Sequence, residues 1–263
     1  MALTLALLGL GATLAGLVVY FSTIVKHQVP ERPVGLIGAL IIGIALSSTA
    51  LSMEVTVGVA VPAVLSIFTG VLFLWILTLR KTPLGDIKVK VGDTVLAFKS
   101  QTDTNQPFDE TAFQGKRTLL KFHRGAWCPY CCAELKQFEE MKPQLQQFKI
   151  DLVALSGDTV EDCKNHKVRD NLSHTLLADP NLTVVKQYGL EHQKALGGNS
   201  DNVFVLFGIP FPMMMKFKSM SVPTTLLIDE NGVIRWIDQS ADYRLRANER
   251  TVMAAVRQVF GNE

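Results

Sequence analysis

Charge is what the first seventy-nine residues lack. The chain of 263 residues carries 26 Lys and Arg and 24 Asp and Glu, yet only Lys26, Glu31, Arg32 and Glu54 precede residue 80. What remains there is three apolar runs, about 2–25, 34–53 and 55–79, each reaching the ~20 residues that a helix needs to cross a bilayer. The first is too long for the ~7–15-residue core of a cleaved signal peptide and has no basic residues ahead of it. No Asp, Glu, Lys, Arg or His lies within a span, which excludes proton relays, haem ligation and a path for a charged substrate. The segment reads as a packed three-helix anchor, with quinone contact or partner binding as the alternative. Gly35, Ala39 and Gly43, and Ala12 with Gly16, recur at the four-residue spacing that lets helices approach, and Pro62 marks a kink in the third span.

Basic residues set the expected orientation. Lys26 and Arg32 flank the first loop, and Arg80, Lys81, Lys88 and Lys90 follow the third span, while the N-terminus and the turn at Glu54 have neither Lys nor Arg. Three spans then place the first loop and the C-terminal domain on the cytoplasmic side and the N-terminus outside, as in a multi-pass protein of a bacterial inner membrane. Lipid is therefore an expected partner; nothing points to nucleic acid.

No internal repeat and no low-complexity segment is present. "RKTPLGD" holds the breakers Pro83 and Gly85, so the expected division is an anchor over 1–80, a linker over 81–87 and a folded domain over 88–263. Strand-like runs at 118–123, 150–157 and 174–179 alternate with helical spacing over 130–147, 159–170 and up to Tyr188, Pro143 marking a kink. "VPTTLLID" and "GVIRWID" form a hairpin across Glu230-Asn231-Gly232, and an amphipathic helix closes the chain at 247–260. Such alternation predicts an α/β fold with a mixed central sheet flanked by helices. Residues 190–220 show no clear period; their Met-rich "FPMMM" suits either an adaptable apolar contact with a partner or membrane, or ordinary packing.

Cysteine is scarce as well, four in all, but Cys128, Cys131 and Cys132 fall within five positions. A zinc site asks for about four ligands, usually in two close pairs; Cys163, His123 and His166 are too scattered, so no metal is expected. A structural disulfide fits poorly with a cytoplasmic domain, and inert burial remains open. A redox role has a mechanism. Cys128-Pro129-Tyr130-Cys131 sits between a strand and a helix, and Pro129 suits the first helical position. Cys128 would then lie at the helix N-terminus, where unpaired amides favour a thiolate, with Cys131 one turn on to close a disulfide. Arg124 either adds positive potential or is a solvated surface residue. Cys132 faces away from Cys131 and reads as packing, with an accessory resolving role as the lesser alternative; Cys163 reads as buried.

"LLKFHRGAWCPYCCAELKQFEE", followed in order by "VALSGD", "LLADPNLTVVKQYGL", "SVPTTLLIDENGVIRW" and "DYRLRANERTVMAAV", resembles the peroxiredoxin-like branch of the AhpC/TSA family. The likeness covers roughly 88–262 and omits the apolar segment. It implies a thioredoxin-like fold and a thiol-dependent antioxidant oxidoreductase: Cys128 attacks a hydroperoxide, Cys131 resolves, an external thioredoxin- or glutathione-type thiol reopens the disulfide, and no cofactor is needed. Trp127 would shield the pair. Two departures stand out. Peroxiredoxins place a Thr or Ser three residues before the attacking cysteine, where Cys128 has Gly125, and an Arg beside it at a strand start that here reads Ser221-Val222-Pro223-Thr224. The Val-Pro-Thr run resembles instead the cis-proline loop of thioredoxins, with Pro223 cis and Thr224 beside it, which points to dithiol–disulfide exchange on proteins as the alternative. A non-enzymatic membrane sensor or scaffold is the third reading. Arg244 and Arg246 read as surface ion-pair residues.

Overall fold

The computed structural model describes residues 1–261, which divide into two compact units, one ending at Arg80 and the other beginning at Lys81. The first unit is three helices: α1 (Ala2–Val25), α2 (Val34–Met53) and α3 (Val57–Thr78), all long and apolar enough to cross a membrane. Small residues set their approach. A Cβ on Gly43 would run into Thr13, one on Gly9 into Ser47 and one on Gly16 into Ala39, whereas Gly35 faces open space. Gly16, Ala39 and Gly43 are therefore contact positions and Gly35 is not. At the same core Thr13 and Ser66 share a 2.9 Å hydroxyl–hydroxyl hydrogen bond. Pro62 lies inside α3.

The second unit begins earlier than the linker reading predicts. Lys81 bridges to Asp242 and the Thr82 amide donates to the Ala241 carbonyl at 3.0 Å. Its elements follow in order: β1 (Lys99–Thr102), β2 (Pro107–Asp109), a 3-10 turn (Glu110–Phe113), β3 (Arg117–Phe122), α4 (Pro129–Gln147), β4 (Ile150–Ser156), α5 (Val160–Asp170), β5 (Thr175–Ala178) and α6 (Thr183–Gln187). β6 (Glu191–Gly198), β7 (Val203–Leu206), β8 (Ile209–Pro212), β9 (Met215–Ser221), β10 (Thr224–Ile228), β11 (Ile234–Gln239) and α7 (Glu249–Phe260) complete it.

Seven strands form one mixed sheet in the order β11-β10-β3-β4-β5-β1-β2, parallel through β3, β4 and β5 and antiparallel elsewhere. Side chains alternate between its faces. Leu119, Leu152 and Leu227 meet Phe138 and Met141 of α4 and Val252 of α7; Leu120, Phe122 and Val153 meet Val184 of α6, Phe113 and Tyr188. Between β10 and β11 the Asp229 carboxylate accepts from the amides of Asn231 and Val233 at 3.0 and 2.9 Å, and Gly232 takes the positive φ of +74° that the turn needs. A mixed sheet covered by helices on both faces is the thioredoxin-like arrangement.

Residues 190–220 hold structure that their sequence hides. β6 and β9 pair as a two-stranded ribbon and β7 and β8 as a hairpin at its end. Lys194, at positive φ, sits at the irregularity of β6 between His192 and Ala195 and interrupts the alternation that would have announced a strand.

Candidate active site: a buried thiol pair at a helix start

β3 runs into a loop that ends at Cys128, the N-cap of α4, with Pro129 opening the helix. The loop is tight because of Gly125. Its φ is +135°, and a Cβ there would come within 2.7 Å of the Trp127 indole nitrogen and 2.9 Å of Asp158. Asp158 pins the same loop by accepting from the Ala126 amide at 2.8 Å. All four cysteines are free and buried. Cys128 is 1% exposed and Cys131 0%, enclosed with Trp127, Ala195 and Met220.

The two thiols lie together in one buried cluster, and the surroundings treat them unequally. Cys131 Sγ accepts from the Arg124 amide at 3.5 Å and from Nη2 of Arg246 at 3.5 Å. Burial raises the Cys131 pKa, but the Cys128 thiol beside it, the Arg246 charge and His123 outweigh it and hold the thiol well below its ordinary range. Cys128 is pushed well above that range, by burial first and then by the ionised Cys131 beside it. This differs from the sequence reading, which put the thiolate on Cys128. The helix start favours an anion on either sulfur; the guanidinium of Arg246 is bonded to the second.

Arg246 is itself held in place. Its Nε donates to Glu134 at 2.8 Å, and the other Glu134 oxygen accepts from Lys121 Nζ at 2.6 Å. Lys121 also donates to Thr225 at 3.1 Å. Both members of the Lys121–Glu134 pair are 1% exposed at the side chain. Two cations and one carboxylate leave this bonded chain one positive charge in excess, and a Cys131 thiolate cancels it. Burying an uncompensated charge is costly, so the fold itself favours the ionised sulfur.

Arg124 is buried, not solvated. Its Nε lies 2.9 Å from the Met220 sulfur, Nη2 donates to the Leu196 carbonyl at 2.8 Å, and the guanidinium sits 4.0 Å over the Tyr243 ring and 5.3 Å from Trp127. Its positive charge lowers Cys128, though less than burial raises it. Arg244 is buried too, bonded to Asp242 at 2.6 Å. Neither Arg244 nor Arg246 is the surface residue their sequence suggests.

The Val222–Pro223 peptide is not cis: no cis bond occurs among the described residues. The Val222 amide donates to Leu190 at 2.7 Å and Thr224 is already in register with Phe122. Both are satisfied by the trans form, which an X-Pro bond favours by about 0.5–1 kcal/mol. Thr224 serves the sheet, accepting from Gln239 at 2.9 Å.

Cys132 donates its S–H to the Ala126 carbonyl at 3.3 Å and accepts from Arg169 at 3.2 Å, and burial raises its pKa. With His166 and Asp170 it forms a buried cluster whose ligand atoms lie within 4.8 Å of one another. Of these the sequence reading named only His166 among its scattered metal candidates and did not consider Asp170, although the four-residue step from His166 to Asp170 on α5 was a usable signal. The cluster's positive charge already comes from the protein: Arg169 lies 2.7 Å and Lys136 3.2 Å from Asp170.

A thioredoxin-like sheet that presents two buried thiols at a helix start, with an arginine guanidinium on one of them, is the arrangement of a thiol oxidoreductase. The AhpC/TSA family model matches residues 91–237. The chain belongs to that family and is a thiol-dependent oxidoreductase of the peroxiredoxin type. It is 29% identical over 148 residues to a putative peroxiredoxin bcp of Coxiella burnetii, covering 56% of this chain and 87% of the relative. To peroxiredoxin Bcp of Escherichia coli it is 26% identical over 112 residues, 43% of this chain and 72% of the relative. Among solved structures, peroxidoxin BcpB from Mycobacterium tuberculosis shares the fold with a TM-score of 0.50 at 21% identity, over 65% of this chain and 98% of that one. A thiol peroxidase from Chromobacterium violaceum does so at 0.51 and 14%, over 69% and 93%.

Proposed function

We propose that the protein is a membrane-anchored hydroperoxide reductase in which Cys131 attacks and Cys128 resolves. The thiolate takes the distal peroxide oxygen: an S–O bond forms, the O–O bond breaks, sulfur is oxidised to the sulfenic acid, and the released alkoxide takes a proton to become the alcohol. The Cys128 thiol then displaces hydroxide from the sulfenic sulfur, giving the Cys128–Cys131 disulfide and water. An external dithiol reopens the disulfide and is itself oxidised.

The observation that carries this reading is the placing of two donors, the Arg124 amide and the Arg246 guanidinium, on the Cys131 sulfur. It also answers both departures from the family pattern. Counted from Cys131, the position three residues earlier is Cys128, whose S–H stands in for the missing hydroxyl. The missing strand Arg is replaced by Arg246, from the segment before α7. Peroxide fits better than a protein disulfide, because a small hydroperoxide can reach sulfurs this deeply enclosed while an extended chain cannot. Anchoring rests on the three apolar helices, and the cytoplasmic side on the distribution of Lys and Arg; a reporter fused to the C-terminus tests the latter.

The test is peroxide consumption by the full chain in detergent with a dithiol reductant. The expected result is reduction of hydrogen peroxide or an organic hydroperoxide far faster than by a free thiol, abolished by Cys131→Ser. Consumption no faster than that of the free thiol overturns the reading.

A further inference from the structure

Cys131 is wholly enclosed, so an alkoxide released beside it has no bulk water from which to take its proton. Arg246 does not give up a proton in a protein, and Cys128 is pushed well above the thiol range, by burial first. Another set of buried groups stands behind the sulfur. His123 follows β3 directly; its amide donates to the Leu155 carbonyl at 2.9 Å, and the next amide, that of Arg124, donates to the Cys131 sulfur at 3.5 Å. The His123 ring lies 6.0 Å from that of His166 on α5, centroid to centroid. One helical turn on, an Asp170 oxygen lies 3.1 Å from His166 Nε2. The two histidines are 2% and 1% exposed, and Nδ1 of each has no hydrogen-bond partner among the described residues. Unpaired ring nitrogens in a core are costly, and two of them this close to a reacting atom call for a role.

We propose that His123 and His166 form a proton relay for the peroxide reaction, with Asp170 positioning the second ring. The proposal rests on the hydroperoxide reductase reading above. The pair takes the proton that Cys131 gives up on ionising. When the S–O bond forms and the O–O bond breaks, that proton passes to the departing oxygen, so one proton leaves a sulfur and arrives on an oxygen with nothing drawn from outside. Rings at this spacing exchange a proton directly or across one water. Asp170 is equipped for its part. Arg169 at 2.7 Å and Lys136 at 3.2 Å lie against its carboxylate. Burial raises its pKa, but His166 and Arg169 outweigh it and hold the group below the usual carboxylate range. An ionised carboxylate on one ring nitrogen fixes the ring and stabilises its imidazolium, as in other nucleophile–base–carboxylate sets. Burial in turn lowers His166, which makes the imidazolium a readier acid. The other titratable groups around His166 do not take its place. Cys132 of α4 keeps its proton because burial raises it, and His174, ahead of β5, faces Glu139 at 2.7 Å.

The experiment compares two small oxidants that differ in what leaves. Hydrogen peroxide releases hydroxide, which needs a proton, whereas peracetic acid releases acetate, which does not. The reduced full chain in detergent is mixed rapidly with each, and the rate constant for oxidation is read from tryptophan emission. His166→Gln and Asp170→Asn are expected to lose about tenfold or more in rate toward hydrogen peroxide beyond any loss toward peracetic acid, at the low end of what a positioned acid contributes. The wild-type rate with hydrogen peroxide should also slow in deuterium oxide, and the slowing should shrink in both variants. Equal losses toward the two oxidants make the pair structural and overturn the proposal. The same selective loss in Cys128→Ser, without it in His166→Gln, assigns the proton to the resolving thiol and overturns it as well. Should His166→Gln fail to fold, Asp170→Asn, which keeps both rings, decides by the same ratio. A wild-type chain inert toward both oxidants contradicts the reductase reading and the relay with it, whereas equal losses in an active chain overturn the relay alone.

Discussion

Arg246 reaches Cys131 from the far end of the domain: its Nη2 lies 3.5 Å from the sulfur while its Nε is bonded to Glu134 at 2.8 Å. One guanidinium thus joins the buried Lys121–Glu134 pair to the Cys131 sulfur.

Arg246→Met is expected to lower the peroxide rate at pH 7 by about 100-fold, the usual cost of losing one preorganised donor at a developing charge. The alkylation profile of Cys131 against pH should move upward together with that loss, and Arg246→Lys should recover part of both. Rapid mixing with iodoacetamide across pH 5–10 reads the profile. A rate loss without movement of the profile would make Arg246 a purely structural residue.

Removing the central carboxylate leaves two buried cations facing each other. Glu134→Gln is expected to cost about 3–5 kcal/mol of stability, as for other broken buried pairs. Thermal unfolding of the domain in detergent checks it. A variant as stable as the wild type would mean that Lys121 and Arg246 do not depend on Glu134.

Gly125 holds a backbone that a side chain cannot adopt freely and has no room for one. Gly125→Ala is expected to cost about 1–3 kcal/mol and to displace Trp127, which the near-ultraviolet circular dichroism of the indole reports.

Histidines set the acid limit. Burial, opposed by Glu139, lowers His174 to about 4, and burial with the Arg124 charge lowers His192 to about 4. Each folded pKa lies below the unfolded value of about 6.5, so above that pH neither affects stability. Below it the unfolded chain binds protons that the folded chain refuses, and stability falls from about pH 6.5 down to about 4. The fully enclosed His174 contributes a slope approaching about 1.4 kcal/mol per pH unit in that window. His174→Gln should flatten the curve of thermal midpoint against pH between 6.5 and 4.

What could be read in advance was local. Three uncharged runs announced three helices, Pro129 after Cys128 announced a helix start, and Glu230-Asn231-Gly232 announced a hairpin, because in each case the signal and its consequence lie within a few residues. The chemistry of the site was not local. Lys121 looks like a misplaced charge in an apolar strand until Glu134 appears 2.6 Å away. Arg246 looks like one of several solvated arginines until the fold brings it to Cys131, 115 positions earlier in the chain. Without those two, helix position alone nominates Cys128, and only the charges reverse the order. The ribbon over 191–221 escaped for another reason: positive φ at Lys194, at the irregularity of β6, breaks the period-two pattern, and exposed Met and Phe resemble core residues when their burial is unknown.

The central claim is that the thiolate resides on Cys131. It is tested by treating the reduced full chain briefly with a limiting amount of iodoacetamide at pH 6 and locating the adduct by peptide mass spectrometry, with Cys128→Ser and Cys131→Ser chains alongside. The expected result is an adduct on Cys131 in the wild type and in Cys128→Ser, and almost none in Cys131→Ser. An adduct mainly on Cys128 in the wild type would contradict the account.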